Sequence, residues 1–339
     1  MTTPATPAGN RPLVTVVIPA YNEEKTIADA INCVLRQSFT DFELLIIDDG
    51  SSDATARISA AIPDVRMQVL SFENQGLAAS RNRGIQRATG ELIAFLDADD
   101  LWTPDKLRSQ VEALQQHPEA ALVYSWTNCI DEDDQFLRHG SHVHAEGQVY
   151  SLLLSRNFLD NGSSPMVRKS AFNAAGVFDE SYRASEDWDM WLRLAHQFPF
   201  TCIPSVQVLY RIRKSSMMSD VDRQFECVTM VLKKGLERLP ASPERERIKR
   251  TATANINKFL SVRLIETGNS RRHGIQACRF WWSFISTTPT LLSQLGKALF
   301  IAGAILAMVV LPPALFTRMR EYAIALNRRR SLTIIPDIR

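Results

Sequence analysis

The first 126 residues alternate short apolar runs with segments of helical spacing. Five runs rich in β-branched residues predict strands at 13–18, 42–48, 65–70, 91–96 and 120–126. Nearly continuous apolar runs of this length, separated by helical segments, are typical of βαβ units around a mostly parallel sheet buried on both faces. The pattern therefore predicts an α/β sandwich in the first half of the chain.

The pattern changes further along the chain. A polar, loop-rich stretch follows residue 127, helical spacing resumes at DWDMWLRLAHQF, and from about residue 218 the chain reads as helical. We therefore predict three parts: a flexible N-terminal tail at 1–12, a sandwich domain at 13–217 and a helical C-terminal region at 218–339.

One C-terminal segment is uncharged over 19 residues, 298–316, close to the ~20 residues that span a bilayer. Pro312 and Pro313 interrupt it. A spanning helix would also place a basic tail outside, against the positive-inside bias: Arg318, Arg320, Arg328, Arg329 and Arg330. We favour a peripheral anchor whose basic tail lies on anionic headgroups, with a spanning helix or a structural packing helix as alternatives.

Composition and charge narrow the class of protein. An apolar share of 45% and a charged share of 22% are those of an ordinary globular protein. Lysine and arginine number 39 against 37 acidic residues, a net charge of +2, so we expect no nucleic-acid partner. The five cysteines form no CxxC pair and no apolar signal segment opens the chain, so we expect a reducing, cytoplasmic location.

Acidic residues follow three of the predicted strands: Glu23 after the first, Asp48 and Asp49 after the second, and Asp97, Asp99 and Asp100 after the fourth. Ligands of open parallel sheets collect at the carboxyl ends of the strands. Converging carboxylates require a cation or hydrogen-bond donors, and their oxygens suit Mg²⁺ or Mn²⁺. A single acid such as Asp49, which precedes Gly50, is also explained as a turn former.

Three segments together resemble the family 2 glycosyltransferases, which are inverting enzymes with the nucleotide-binding GT-A fold: VTVVIPAYNEEKTIADAINCVLRQSFTDFELLIIDDGSSDAT, GLAASRNRGIQRATGELIAFLDADDLWTPDKL and SEDWDMWLRLA. The resemblance covers about residues 13–215. It implies a GT-A-type Rossmann-like sandwich with a mostly parallel central sheet, followed by the helical C-terminal region. It also implies a nucleotide-binding half at about 13–126 and an acceptor half at about 127–217.

The resemblance assigns a nucleotide pocket to six residues: Pro19, Ala20, Tyr21, Glu23, Asp49 and Arg81. It implies that the loop after the first strand encloses the base, that Tyr21 stacks on it and that Asp49 hydrogen-bonds it. Arg81 matches the family's basic residue in this pocket. Taken alone, Tyr21 is also explained as a core residue and Arg81 as a solvated helix charge.

The stretch FLDADD matches the family's DxD motif. The resemblance places Asp97 near the ribose or the metal, and Asp99 on the Mg²⁺ or Mn²⁺ that bridges the two phosphates of a nucleotide sugar. A divalent ion there stabilises the departing diphosphate as a Lewis acid. We assign Asp100 to the turn. Arg213 stands where the family often has a metal-binding histidine; an arginine cannot ligate a cation but can pair with phosphates.

Inversion requires in-line attack by an acceptor hydroxyl, and a base must take its proton. Asp187 in SEDWDMW matches the family's base, with Glu186 and Trp188 assigned to the acceptor side and Trp191 to the core. The same acids are also explained by a helix N-terminus with Ser185 as N-cap. The catalytic and the helix-N-terminal interpretations are compatible, because the first turn of a helix holds a base in a fixed position.

These features predict an inverting glycosyltransferase that moves one sugar from a nucleoside diphosphate sugar, most simply a UDP-sugar, to a glycan or lipid-linked acceptor in surface polysaccharide, glycolipid or other glycan biosynthesis. No QxxRW signature of processive synthases is present. Two alternatives remain: an inactive nucleotide-sugar or glycan-binding protein at the membrane, and a sugar nucleotidyltransferase. The latter needs a glycine-rich loop where IPAYNEEKT has acids. Any membrane contact is expected on the cytoplasmic face.

Overall fold

The structure is a computed structural model that describes residues 11–213, 221–268, 270–288, 291–320 and 322. Most of the predicted tail (1–10) and Arg328, Arg329 and Arg330 lie outside these ranges. The strands are β1 (Val14–Ala20), β2 (Phe42–Asp48), β3 (Met67–Ser71), β4 (Leu92–Phe95), β5 (Leu101–Trp102), β6 (Leu122–Ile130), β7 (Phe136–His139), β8 (Met166–Arg168) and β9 (Phe200–Arg211).

Helices cover the sheet and form the C-terminal region. They are α1 (Ile27–Leu35), α2 (Thr55–Ala60), α3 (Leu77–Arg87), α4 (Lys106–Gln116), α5 (Tyr150–Ser155), α6 (Lys169–Ala175), α7 (Glu186–Gln197), α8 (Val221–Glu237), α9 (Pro243–Thr267), α10 (Arg271–Thr287) and α11 (Leu295–Val310). A 3₁₀ turn at Leu291–Gln294 precedes α11, and residues 313–320 are helical again.

One sheet runs through the domain in the order β3-β2-β1-β4-β8-β6-β9-β5, with β7 added on β6. The pairs β3-β2, β2-β1 and β1-β4 are parallel. Strand β8 is antiparallel to both β4 and β6, while β6 and β9 are parallel. The α/β fold class is confirmed, and all five predicted strands are present; the parallel block is the half predicted to bind nucleotide.

Strand β1 shows why the predicted strands lack polar alternation. Val14, Val16 and Ile18 pack into one hydrophobic cluster, whereas Val17 packs with Phe95 into a second cluster on the opposite face. All five side chains have no exposed surface. A strand buried on both faces must be apolar at every position, which is the pattern read in the sequence.

The C-terminal helices pack in two ways. Helix α8 and the first turns of α9 contribute to the same large cluster as the sheet, through Val231, Leu232 and Ile248 among others. Beyond them, α9, α10 and α11 bury smaller clusters of their own. Helix α11 ends at Val310, just before the two prolines. Among the described residues, no helix has both the length and the apolarity needed to cross a bilayer.

Candidate active site

The loop after β1 is fastened to the loop after β2. The Asn22 amide donates to Ser51 Oγ at 3.0 Å, and the Glu23 amide donates to Thr55 Oγ1 at 2.7 Å. Pro19 and Ala20 are buried as part of β1, where they pair in register with β2. The Tyr21 ring is 50% exposed, so the interpretation of Tyr21 as a core residue is wrong. An exposed ring on an anchored loop is available for stacking.

Asp49 is buried at the end of β2 and accepts several hydrogen bonds. The amides of Gln75 and Gly76 donate to it at 3.0 and 2.7 Å, and Arg83 Nη1 donates at 2.7 Å. Arg83 was not identified from the sequence as a site residue. Residues two apart on a helix point in different directions, so Arg81 and Arg83 cannot both face Asp49. The position of each arginine around the helix could have shown from the sequence which of the two faces Asp49.

Arg81 lies inside the protein between two acids. Its Nη2 donates to Asp97 Oδ1 at 2.6 Å and its Nη1 donates to Glu186 Oε1 at 2.7 Å. The side chain is 2% exposed, so the interpretation as a solvated helix charge is wrong. Burial opposes its charge, but Asp97 and Glu186 outweigh that effect and raise the pKa of Arg81. The guanidinium therefore joins the DxD motif after β4 to the start of α7.

Gly162, which has no side chain, leaves space for the guanidinium of Arg81. A Cβ added to Gly162 would lie 2.4 Å from an Arg81 terminal nitrogen and 2.9 Å from the central guanidinium carbon. Real Cβ contacts almost never fall below about 3 Å, so any side chain at position 162 would force the Arg81 guanidinium to shift. The stretch NGSSP thus packs directly against the guanidinium of Arg81.

Ser163 in the same stretch braces the DxD loop. Its Oγ accepts from the Asp97 amide at 3.0 Å and donates to Asp100 Oδ2 at 2.5 Å, while the Arg211 amide donates to Asp100 Oδ1 at 3.0 Å. The Asp100 carboxyl has no exposed surface, and burial raises its pKa well above the usual range. Its amide donates to the Asp97 carbonyl at 3.0 Å, the geometry of the turn to which we assigned it.

Asp99 pairs with Arg213. Arg213 Nε and Nη2 donate to Asp99 Oδ2 at 2.9 and 2.5 Å, and Nη2 also donates to Glu23 Oε1 at 2.6 Å. Burial raises the pKa of Asp99 to about 6; the nearby charges of Asp97 and Glu23 add to that increase, and Arg213 opposes it. Acids from the ends of β1 and β4 are therefore brought together, with an arginine between them.

The residues present offer two carboxylates for a divalent cation. No three His, Cys, Asp or Glu side chains in the described ranges form a complete metal-binding group. Asp97 and Asp99 are 20% and 19% exposed and supply carboxylate oxygens. Mg²⁺ is commonly held by one or two carboxylates together with substrate phosphates. The donor set therefore fits a hard cation whose remaining ligands come from substrate and water.

Asp187 lies in the first turn of α7. Ser185 stands at the N-cap position with φ of 62° and makes no capping bond, so its predicted side-chain cap is wrong; such a cap needs an extended backbone. Asp187 Oδ1 instead accepts from the Trp188 amide at 2.7 Å. Burial, reinforced by Glu186 and opposed by Arg81, raises the pKa of Asp187 to about 7. A carboxylate with that pKa is suited to accept protons near neutrality.

The two neighbours of Asp187 face inward. Glu186 is buried on Arg81, as described above. Trp188 is 4% exposed, and its Nε1 donates to the Leu153 carbonyl at 3.0 Å. Its indole lies in the core rather than on an open surface, so an exposed acceptor-side wall at Trp188 does not fit the structure. Trp191 has no exposed surface, which confirms its assignment to the core.

The sequence defines the class of protein as a glycosyltransferase. Residues 15–251 match the family model described as "Glycosyltransferase like family 2", and the chain belongs to that family.

Two curated relatives act in polysaccharide synthesis by name. Chondroitin synthase of Escherichia coli is 30% identical over 244 residues, which are 68% of this chain and 34% of that protein. The amylovoran biosynthesis glycosyltransferase AmsB of Erwinia amylovora is 34% identical over 194 residues, 52% of this chain and 62% of that protein. The match thus spans less than two thirds of the length of either relative.

Solved structures share the fold. TarS 1-349 of S. aureus in complex with UDP superposes with a TM-score of 0.57 at 16% identity, covering 87% of this chain and 88% of that one. The mannosyltransferase PcManGT of Pyrobaculum calidifontis, in complex with GDP-Man and Mn²⁺, gives a TM-score of 0.56 at 21% identity, covering 94% and 87%. The GT-A fold is therefore confirmed.

Proposed function

We propose that the protein is an inverting glycosyltransferase that moves a single sugar from a nucleoside diphosphate sugar to an acceptor hydroxyl. The observation that carries the proposal is the shared guanidinium of Arg81, which binds the DxD acid Asp97 and the neighbour of the candidate base, Glu186. Donor side and base are thereby held in one rigid unit. In-line displacement needs such a unit, because nucleophile and leaving group must lie on opposite faces of one carbon.

Asp187 acts as the base in this proposal. Its carboxylate takes the proton of the acceptor hydroxyl as the hydroxyl oxygen bonds to the anomeric carbon. The bond from that carbon to the diphosphate oxygen breaks, and its electron pair leaves with the diphosphate. A pKa of about 7 gives Asp187 both a deprotonated population and basicity at neutral pH. Glu186 and Trp188, being buried, position Asp187 from the protein side.

The donor nucleotide lies, in this proposal, at the loops after β1 and β2. Tyr21 stacks on the base, Pro19 and Ala20 form the floor, and Asp49 accepts a hydrogen bond from the base. The family resemblance assigns these roles, and the exposure of Tyr21 supports its part. UDP-sugars are the favoured donors, since TarS structures contain UDP or UDP-GlcNAc, although PcManGT contains GDP-Man.

Asp99, with Asp97 beside it, would hold a Mg²⁺ or Mn²⁺ ion at the donor diphosphate. When bound, the ion supplies Lewis-acid stabilisation to the leaving group. The exposed edges of both carboxylates and the Mn²⁺ in the PcManGT structure support this assignment. Arg81 holds Asp97 and Arg213 holds Asp99 through ion pairs, each of which engages one carboxylate oxygen.

The acceptor in this proposal is a glycan or a lipid-linked glycan precursor. The named roles of the relatives, chondroitin synthesis and amylovoran biosynthesis, support a place in polysaccharide biosynthesis. Single-sugar transfer is favoured because the QxxRW stretch of processive synthases is absent from the sequence.

The C-terminal helices suggest where the enzyme works. Seven large apolar side chains on α10 and α11 are exposed, and together we call them the C-terminal apolar surface: Ile275, Trp282, Leu295, Leu299, Phe300, Leu306 and Val310. Over residues 267–320 the sequence has six basic residues and no acid. An apolar face on a segment that is basic in sequence matches an anionic lipid surface. We propose that this surface lies on the cytoplasmic face of a membrane, where lipid-linked acceptors are found.

A donor screen tests the enzymatic proposal. The protein is incubated with UDP- and GDP-sugars, and release of the nucleoside diphosphate identifies the donor. Proton NMR of the new glycoside then gives its anomeric configuration, expected to be opposite to that of the donor sugar. Retained configuration contradicts inversion. Tight donor binding without any turnover, with a full range of glycan acceptors, would instead support a binding protein.

A further inference from the structure

Arg213 ties together two acids of the candidate donor site. Its Nη2 donates to Glu23 Oε1 at 2.6 Å and to Asp99 Oδ2 at 2.5 Å, and its Nε donates to the same Asp99 oxygen at 2.9 Å. Glu23 follows β1 and Asp99 follows β4, so the guanidinium spans the ends of two paired strands. All three side chains are about one fifth exposed (18–21%). Partial shelter from water strengthens such charge-assisted hydrogen bonds.

The chain just before Arg213 is fixed to the DxD loop. The Arg211 amide donates to Asp100 Oδ1 at 3.0 Å, and Arg211 Nε donates to the Asp99 carbonyl at 2.8 Å. Arg211 itself is 4% exposed. Arg213 therefore projects from an anchored backbone toward Asp99, which distinguishes it from a surface arginine that happens to meet an acid.

Arg213 and a divalent cation need the same carboxylate. Asp97 already pairs with Arg81 at 2.6 Å, so both acids of the DxD motif carry a guanidinium partner. A metal that approaches Asp99 meets the positive charge of Arg213 and must share or displace it. The guanidinium can also serve the other ligand of the site, since its planar donors match two phosphate oxygens at once.

We propose that Arg213 is the resident cation of the donor site: it competes with divalent metal for Asp99, and it binds the donor diphosphate when no metal is present. This rests on the proposed function only in placing the diphosphate beside Asp99. An ion pair that only joins the two loops, with metal and diphosphate bound elsewhere, would leave metal affinity and the effect of chelation unchanged when the arginine is replaced. The resident cation changes both.

The first experiment titrates Mn²⁺ alone into the full chain and follows free Mn²⁺ by electron paramagnetic resonance. Arg213→Gln is expected to bind Mn²⁺ at least about tenfold more tightly than the unmodified protein, because Asp99 and Glu23 lose a competing charge. Arg247→Gln is the matched control, since Arg247 forms an exposed pair with Glu244 on α9 and its replacement changes the net charge equally. Equal Mn²⁺ affinities for Arg213→Gln and the unmodified protein would overturn the competition.

The second experiment measures UDP and GDP binding by calorimetry, in Mn²⁺ and in EDTA. For the nucleotide that binds better, chelation is expected to weaken binding less than about tenfold in the unmodified protein and more than about hundredfold in Arg213→Gln. Arg213→Lys keeps the charge and is expected to fall between them, which separates loss of the cation from loss of folding. Complete loss of nucleotide binding by the unmodified protein in EDTA would overturn the proposal.

The two experiments also separate this proposal from the proposed function. If neither UDP nor GDP binds the unmodified protein in Mn²⁺ or in EDTA, the nucleotide-sugar function fails. The Mn²⁺ titration needs no nucleotide, so it still decides whether Arg213 competes with metal for Asp99.

Discussion

Asp97 and Glu186 share one guanidinium, with Arg81 Nη2 at 2.6 Å from the first carboxylate and Nη1 at 2.7 Å from the second. The two acids come from opposite sides of the site, one after β4 and the other at the start of α7. Buried ion pairs add little net stability, but removing the shared partner leaves the buried charge of Glu186 uncompensated beside a partly exposed Asp97, which costs about 3–5 kcal/mol. The arrangement therefore fixes geometry more than it stabilises the fold.

The first prediction concerns the geometry of this bridge. Arg81→Lys keeps the positive charge but cannot reach both acids with two separate donors. We expect kcat to fall by about 100-fold, the effect of a misplacement of about 1 Å at a reacting centre. The measurement is steady-state turnover alongside a thermal melt. Arg87→Lys, on the exposed end of the same helix, is the control and should leave kcat unchanged. Full activity in Arg81→Lys would refute the bridge as a positioning device.

The second prediction uses the close approach of Gly162 to Arg81. In Gly162→Ala the new methyl group would lie 2.4 Å from the guanidinium, so the arginine must shift. We expect kcat/KM to fall at least about tenfold, with a lower melting temperature, because small displacements of positioning groups are costly. Gly303→Ala is the control: no atom lies within 4 Å of its added Cβ, and on α11 alanine should stabilise by about 0.5–1 kcal/mol. Unchanged kcat/KM and melting temperature in Gly162→Ala would contradict close packing of Gly162 against Arg81.

The third prediction concerns the base. Asp187→Asn keeps the shape of the side chain but cannot accept a proton from the acceptor. We expect turnover to fall about 10²–10⁴-fold, the usual contribution of a general base. Binding of the identified donor, measured by calorimetry, should change less than about threefold, because Asp187 is assigned to the acceptor side. Loss of donor binding in parallel with turnover would show that Asp187 acts on the donor instead.

The fourth prediction follows from the pKa of Asp187, which burial raises to about 7. Below that pH the base is protonated, so kcat/KM should fall about tenfold per pH unit as pH decreases and level off above it. The free energy of unfolding depends on pH in the opposite sense to kcat/KM. A folded-state pKa above the unfolded value of 3.8 gives a stabilising contribution that is complete below pH ~4 and lost as pH rises through ~7. Denaturant melts should therefore show Asp187→Asn gaining stability relative to the unmodified protein as pH rises.

The acids of the site could be predicted from sequence because parallel strands deliver their carboxyl ends to one edge. Asp49, Asp97 and Asp99 follow strands whose apolar runs were unmistakable. The assignment of partners was harder. That Arg83 rather than Arg81 contacts Asp49 depends on the phase of α3, and that Arg81 is buried depends on Gly162, which is distant in sequence.

The contacts that residues near β8 and β9 make with the site could not be predicted from apolar strand patterns. Strand β8 has three residues, and β9 contains Pro204 and pairs with β6 through a shifted register. Neither produces a clear periodic pattern. Ser163, which braces the DxD loop, precedes β8, and Arg213 follows β9. The contacts of Ser163 and Arg213 with the DxD loop depend on how β8 and β9 pair in the sheet, which the sequence pattern does not show.

The fifth prediction concerns the C-terminal apolar surface. Replacing Trp282 and Leu299 together by glutamate puts two negative charges on a face that is apolar and flanked by basic residues. We expect flotation with phosphatidylglycerol vesicles to fall at least about tenfold, because the lost burial and the new repulsion from anionic headgroups act together. Val65→Glu is the control, since Val65 is a fully exposed apolar residue away from α10 and α11.

Vesicles of phosphatidylcholine alone should bind the unmodified protein weakly, because the basic residues then have no anionic partner. Equal flotation of the double variant and Val65→Glu would show that the surface does not contact lipid. Strong binding to both phosphatidylglycerol and phosphatidylcholine vesicles would assign the contact to the apolar side chains and not to the basic residues.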